Sequence, residues 1–300
     1  MKKSTIIFFG SSELSAAVLT KLNQEFDIAL VVAPQNPTPV AEVAKNLELT
    51  LSKPLKLRDP DFYNQVASLN ADLFVVVAYG KIIPQELLDL PKKGAINIHG
   101  SLLPKYRGAS PIQSALANGD SKTGISIMLM DAQMDHGPVL TEAEVEIDKA
   151  DNYVSLENKL STLAVNEINQ TISAYLTGSI FASEQDEALA TYCKIITKED
   201  GKINWTKSAR DIYNLSRAYS KWPGIWTTFQ GKNLKITACL PIDSNEKKAA
   251  GEVYQQEEKI LVSTGNGALE ILELQLEGKK NIKVKEFVNG RKNFLGAILN

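Results

Sequence analysis

The chain has 300 residues, of which 44% are hydrophobic and 23% charged, and its net charge is −2. This is ordinary globular composition, and the length suits two cores, because a single core stops growing at about 250–300 residues. No apolar run approaches the roughly 20 residues that a membrane helix needs.

Met1, Lys2 and Lys3 precede an apolar stretch, as in an export signal. The stretch stops at Gly10, which suits a buried first strand over 4–9 and no targeting segment. Leu14, Val18, Leu19 and Leu22 then recur at helical spacing. A second apolar run, 28–32, is bounded by Pro34, Pro37 and Pro39. Helices fit 40–46 and 60–69, the latter with Pro60 in its first turn. Residues 73–77 are continuously apolar, the pattern of a strand buried on both faces, and 95–98 is another. Residues 112–116 sit in a helix that ends at Asn118-Gly119. Strands spaced by helices of this length predict an α/β fold, a parallel sheet with right-handed crossovers.

From Thr123 the rhythm changes. Residues 125–130 and 139–147 read as strands joined by a loop that carries Asp135 and Gly137, and a long helix covers 153–176. Residues 177–190 are polar and aperiodic, the best linker candidate. After a helix near 209–219, short strand-like runs near 227–229, 234–237, 251–254, 260–263 and 269–274 predict a small barrel. A final helix covers 284–289. The expected division is a first domain over 1–189, a linker at about 177–205 and a C-terminal barrel over 206–300.

Charge follows this division. Residues 1–205 hold 18 Lys+Arg against 25 Asp+Glu, a balance of −7, whereas 206–300 hold 15 against 10, a balance of +5. A basic terminal module on an acidic body points to a polyanionic partner, and a merely solvated basic surface explains it equally well. Cys193 and Cys239 lie far apart without ligand-like neighbours and read as small apolar side chains. A cysteine-poor chain without an export signal fits the cytoplasm.

A first strand ending in glycine invites a dinucleotide site. The turn Gly10-Ser11-Ser12-Glu13-Leu14-Ser15 lacks the second and third glycines that let a pyrophosphate reach the backbone. The dense signal lies later, in Asn97-Ile98-His99-Gly100-Ser101-Leu102-Leu103-Pro104-Lys105-Tyr106-Arg107-Gly108 and in Asp131-Ala132-Gln133-Met134-Asp135-His136-Gly137. Asn97 and His99 are two apart at a strand end, so both side chains leave one face. Ligands bind at the carboxyl ends of strands in such sheets. An amide donor beside an imidazole suits a reaction that builds negative charge on a carbonyl oxygen. An aspartate from another strand end would orient the imidazole or accept a proton. The plain alternative is that an Asn and a His near a turn are structural hydrogen-bonders. No Gly-Xaa-Ser-Xaa-Gly elbow occurs, no second His or Cys stands at metal-ligand spacing from His99, and His136 reads as a loop side chain.

At these residues the sequence resembles the folate-dependent formyltransferases, which carry Asn-Xaa-His-Gly/Pro-Ser-Leu-Leu-Pro, a basic residue, Arg/Lys-Gly and then an aspartate turn. The resemblance implies that Asn97, His99 and Asp135 are catalytic and that Ser101, Leu102, Leu103 and Pro104 line the folate pocket. It implies 10-formyltetrahydrofolate as co-substrate, no metal, a cis Leu103–Pro104 bond, and a Rossmann-like catalytic domain followed by an OB-like barrel. It extends over Val75–Pro84 in numbers 75–84, Ala109-Ser110-Pro111-Ile112-Gln113 and Thr123-Gly124-Ile125-Ser126. In the tail, Thr191-Tyr192-Cys193-Lys194, Ile203-Asn204-Trp205, Trp222-Pro223-Gly224 and Gly290-Arg291-Lys292-Asn293-Phe294 resemble the branch that formylates the methionine on initiator tRNA. Charged initiator tRNA as partner, a basic tRNA-binding barrel and a monomer without membrane association are the matching expectations.

One stretch departs from that branch. Bacterial relatives usually carry a long basic loop after the second strand, whereas Ala33-Pro34-Gln35-Asn36-Pro37-Thr38-Pro39-Val40-Ala41-Glu42 is short and holds no Lys or Arg. Formyltransferases acting on amino-sugar nucleotides share the Asn97–Gly108 motif and also lack the insertion, so an amino-sugar acceptor stands as the alternative. A catalytically idle nucleic-acid-binding protein is a further alternative, against which the intact trio argues.

Overall fold

A computed structural model describes residues 3–300; Met1 and Lys2, where the export-signal reading begins, lie outside the described residues. Backbone contacts divide the chain into two compact units. The first runs to Pro111 and adds Lys122–Glu146 and Glu157–Cys193; the second comprises Ile112–Ser121, Ile147–Leu156 and Lys194–Asn300.

In chain order the elements begin with β1 (Thr5–Gly10), α1 (Glu13–Leu22), β2 (Asp27–Val32), α2 (Pro39–Asn46), β3 (Leu51–Ser52), α3 (Pro60–Ser68), β4 (Leu73–Val77), α4 (Gln85–Leu88), β5 (Ala95–His99) and β6 (Arg107–Gly108). They continue with α5 (Pro111–Asn118), β7 (Lys122–Leu129), β8 (Val139–Glu146), α6 (Tyr153–Leu176) and β9 (Tyr192–Cys193). Seven strands form one sheet in the order β3-β2-β1-β4-β5-β7-β8. The first five are parallel, as expected, and β7 and β8 join antiparallel. From β1 the chain builds outward through β2 and β3, then returns to β4 on the other side, so the strand order reverses between β1 and β4. Such a reversal opens a crevice at the carboxyl strand ends. The sheet is buried on both sides here, with Phe9 packed against Phe74 at 5.3 Å and edge-on against Tyr79 at 5.6 Å.

Local chemistry sets the helix starts. Thr38 Oγ1 accepts the Ala41 N–H at 3.2 Å and Asp59 Oδ1 accepts the Asp61 N–H at 3.0 Å, each followed at once by a proline. Pro at the first helical position gives up an N–H that would be unpaired anyway.

Of the stretch 177–205 expected as linker, the part through Cys193, which includes the polar run 177–190, belongs to the first unit. Val139 and Ser183 exchange backbone hydrogen bonds of 2.8 Å, and β9 pairs with β6 in parallel. The bonds are made by backbone, which a polar, aperiodic sequence does not reveal.

The second unit holds α7 (Ala209–Ala218), β10 (Ile225–Phe229), β11 (Lys232–Ile242), β12 (Val253–Gln256), β13 (Lys259–Ser263), β14 (Ala268–Leu276), β15 (Ile282–Lys283) and α8 (Val284–Gly290). Its sheet runs β10-β11-β14-β13-β12, with β15 on β14, all antiparallel. That ladder leaves β10 and β12 at its ends, and the last five residues join them. Gly296 and Leu299 donate to Val253 O and Gly251 O at 2.8 and 2.9 Å, and Thr228 donates to Asn300 O at 2.8 Å. The tail therefore closes the small barrel, covering edges that would otherwise be unpaired. Phe294 seals the inside, with Phe229 and Phe287 edge-on at 5.1 and 5.0 Å.

Candidate active site

The turn after β1 is occupied by its own side chains. Ser15 Oγ accepts the N–H groups of Ser11 and Ser12, both at 3.2 Å, and donates to Val77 O at 2.5 Å. The N–H groups of Ser11, Ser12 and Ser15 are thereby taken up within the turn itself.

The site lies instead at the carboxyl end of β5. Asn97 and His99 share one face of that strand, between Val76 of β4 and the antiparallel β7. Asp135 arrives from the loop between β7 and β8. Asn97 Nδ2 donates to Asp135 Oδ1 at 3.3 Å, and His99 Nδ1 stands 3.5 Å from the same oxygen. The other carboxylate oxygen accepts the Gly108 N–H at 2.8 Å. His99 Nε2 meets the backbone carbonyl of Tyr106 at 2.9 Å. A carbonyl oxygen only accepts, so Nε2 carries the proton and Nδ1 is the nitrogen turned to Asp135. His99 is 5% exposed. Burial keeps competing water from these contacts and strengthens them.

Two glycines make this geometry possible. A Cβ on Gly108, whose φ is +118°, would sit 2.2 Å from Cys193 O, and one on Gly137 would sit 2.0 Å from Leu129 O. Asp135 itself has φ +51°. That left-handed conformation costs a residue with a side chain on the order of 1–2 kcal/mol, least for Asp and Asn.

The loop after His99 is rigidly built. Ser126, fully buried in β7, donates from Oγ to Ser101 O at 2.8 Å and accepts the Leu103 N–H at 2.9 Å. Ser101 Oγ donates to Lys105 O at 2.5 Å. The Leu103–Pro104 bond is cis. Ser101 and Leu103 are buried, whereas Leu102 and Pro104 keep partial exposure. Thr191 clamps the far side: its Oγ1 accepts from Tyr106 N at 2.9 Å and its carbonyl accepts from Arg107 N at 2.9 Å.

Residues 8–172 match the formyl transferase family, and residues 195–292 match the formyl transferase C-terminal domain. The chain belongs to the formyl transferase family. Among known proteins, this formyl transferase is 38% identical to a methionyl-tRNA formyltransferase of Geobacter sulfurreducens over 297 residues, covering 95% of this chain and 93% of that one. It is 39% identical to a methionyl-tRNA formyltransferase of Thermodesulfovibrio yellowstonii over 300 residues, covering 96% of each chain. The solved structure of WlaRD, a sugar 3N-formyl transferase, superposes with a TM-score of 0.69 at 18% identity, covering 93% of this chain and all of that one. At that identity the likeness is one of fold.

The formyl transferase brings Asn97, His99 and Asp135 together, although 38 residues separate the first from the last. His136 turns to Asp131 Oδ2 at 2.6 Å and to Glu187 at 3.4 Å, consistent with its reading as a loop side chain. Cys193 Sγ donates to Tyr106 O at 3.3 Å, the carbonyl that also receives His99. Cys239 is buried, which pushes its thiol up to about 11. Among the described residues, no group of three His, Cys, Asp or Glu is arranged to hold a metal ion, and no helix is long and apolar enough to cross a membrane.

Two residues lie inside the stretches that carry the resemblance, Ser126 and Arg107, but the sequence assigned neither of them a role. Ser126 is one polar residue in a strand otherwise apolar from Ile125 to Met128, and a buried serine in such a run is the signal that was available. Arg107 is 1% exposed, and its guanidinium is closed by Gln185 at 3.0 and 2.8 Å and by Glu187 at 3.0 and 2.6 Å. The Glu187 fork holds Arg107 above the usual guanidinium range and, reciprocally, Glu187 below the usual carboxylate range.

Proposed function

We propose that this chain transfers the formyl group of 10-formyltetrahydrofolate to the α-amine of methionine carried by initiator tRNA. It acts in the cytoplasm as a monomer. The catalytic domain is 1–189, and the basic barrel, 206–300, binds the tRNA. The observation that carries the reading is the meeting of Asn97, His99 and Asp135 within 3.5 Å at a sheet end, in a formyl transferase.

The amine attacks the formyl carbon, and negative charge grows on the formyl oxygen. Asn97 presents amide N–H donors to that charge. His99, with Nε2 committed to Tyr106 and Nδ1 turned to Asp135, stabilises that charge in its protonated form as a cation beside it. Asp135 holds the imidazolium and takes the proton leaving the amine, directly or through water. The oxyanion collapses with cleavage of the formyl carbon–N10 bond, and N10 takes up the proton lost by the amine and leaves as tetrahydrofolate. Transfer is direct between the two substrates, with no covalent enzyme intermediate, and placement supplies much of the rate. Ser101, Leu102, Leu103 and Pro104 line the folate pocket, Leu102 and Pro104 being its partly exposed members. His99→Ala and Asn97→Ala should each lower kcat by about 100- to 1000-fold with the fold intact, the cost of one oxyanion donor. Wild-type turnover in either variant would remove that residue from the mechanism.

The acceptor is supported by the full-length match to methionyl-tRNA formyltransferases and by the balance of +5 over residues 206–300. An amino-sugar nucleotide is the second reading, favoured by one observation: the stretch from Ala33 to Thr38 between β2 and α2 is short and free of Lys and Arg. Offering charged initiator tRNA and amino-sugar nucleotides in parallel decides between them. Formylation of the sugar alone would overturn the tRNA reading. With tRNA accepted, affinity should fall steeply as salt rises, since phosphate contacts release counterions.

A further inference from the structure

The trio is held from a side that neither the motif nor the mechanism uses. Gln185 lies in the segment between α6 and β9, 50 residues beyond Asp135. Its Nε2 donates to two backbone carbonyls of the site loop, Asp135 O at 2.9 Å and Gly137 O at 2.7 Å. Its Oε1 accepts from Arg107 Nε and Nη2 at 3.0 and 2.8 Å. Turning the amide over would set NH2 against a guanidinium and oxygen against two carbonyls, so chemistry dictates the orientation. Arg107 is in turn oriented by the Glu187 carboxylate and by Tyr192 Oη at 3.3 Å.

The residue after Arg107 closes the circuit. The Gly108 N–H grips the Asp135 carboxylate at 2.8 Å, while the Arg107 side chain reaches the Asp135 backbone through Gln185. Asp135 is thus held at its side chain and at its main chain by one dipeptide, and it needs the hold because its φ is +51°. Without the Gln185 amide the loop could relax toward ordinary φ values, carrying the carboxylate away from His99 Nδ1. The effect falls on placement, where shifts of about 1 Å are costly to rate.

We propose that Gln185, oriented by Arg107, is a positioning residue for Asp135, an inference that rests on the catalytic reading of Asp135 given above. The Gln185 amide bonds to Arg107 and to the loop carbonyls, so it acts on Asp135 through the loop backbone.

The test is a double-mutant cycle on the full chain, with kcat and KM for both substrates, the pH profile of kcat, and a thermal melt for each variant. Gln185→Leu should lower kcat by at least about 10-fold, leave both KM values within about threefold, and move the pH profile, because the carboxylate no longer sits against the imidazole. In an Asp135→Asn background the same substitution should change kcat by less than about twofold, since residues acting through one group are not additive. Gln185→Glu keeps the Arg107 contact but turns carboxylate oxygen on the two carbonyls, and it should give the same pattern if the leucine variant does not fold. Turnover within twofold of wild type in the folded variant overturns the inference. So does an equal loss in both backgrounds, or a lower melting temperature with an unmoved pH profile. Wild-type turnover in Asp135→Asn alone would overturn the catalytic reading instead, a result separable from failure of Gln185.

Discussion

His99 gives its Nε2 proton to the carbonyl of Tyr106 at 2.9 Å, and that bond decides which nitrogen works. Only Nδ1 is left to face Asp135, at 3.5 Å. Tyr106 can present its carbonyl there because its own φ is +59° and its N–H is held by Thr191. The tautomer of the imidazole is therefore set by a loop residue that touches no substrate atom in the mechanism. The same carbonyl, the Gly108 N–H and the Arg107 side chain all come from one tripeptide, so the loop and the trio form one constructed unit.

Asp135→Asn tests the charge at the centre of that unit. The amide keeps the shape, but its single oxygen can accept from only one of the Asn97 and Gly108 donors, and it neither stabilises an imidazolium nor takes a proton. Steady-state kinetics should show kcat lower by about 100-fold or more, the usual worth of a positioned acid or base. KM for the formyl donor should stay near wild type, with only a small fall in melting temperature from the one lost hydrogen bond.

Ser126→Ala tests the loop's anchor. It removes the hydroxyl that joins Ser101 O and Leu103 N, which leaves a buried N–H and a carbonyl without that partner. Urea unfolding should show a loss of about 1–3 kcal/mol. Because the motif loop loosens while the trio stays, KM for the formyl donor should rise more than kcat falls. A larger fall in kcat than rise in KM would place Ser126 with the trio instead.

Glu187 predicts a pH dependence of stability. Arg107 holds its carboxyl below the usual value near 4.5. A depressed folded pKa means that the unfolded chain binds more protons in that window, so stability rises with pH there. The contribution is complete above about 4.5 and is lost as pH falls through the lower folded value. Thermal melts of Glu187→Gln should lie below wild type at pH 7, and the gap should close progressively below pH 4.5. The carboxylate is 57% exposed, so salt should also narrow the gap. A gap independent of pH would assign Glu187's effect to packing.

The closing tail predicts a larger effect far from the site. Leu299 is 2% exposed and its backbone N–H joins Gly251 O at 2.9 Å. Leu299→Ala should destabilise the second unit by about 2–5 kcal/mol, the range for a buried leucine, without touching the trio. Calorimetry should show one lowered transition, while formyl transfer measured below that transition stays near wild type.

The sequence already carried the elements of the first sheet, because burial on both faces leaves runs such as Leu73–Val77 with no polar residue and helix periods between them. It also carried Asn97 and His99 as a pair on one face, since a strand has period two, and the motif around them supplied the kinship to formyltransferases. What it did not carry was everything made by backbone. The Gly108 grip on Asp135, the Tyr106 carbonyl on His99, the Ser183 and β9 pairing that turns an apparent linker into part of the first unit, and the 296–300 closure of the barrel all use main-chain N–H and C=O groups, which every residue has and no side-chain pattern marks. Gln185 belongs with them. A glutamine in a polar stretch is indistinguishable from a solvated one until the fold lays it between a buried arginine and the two carbonyls of the loop that holds Asp135.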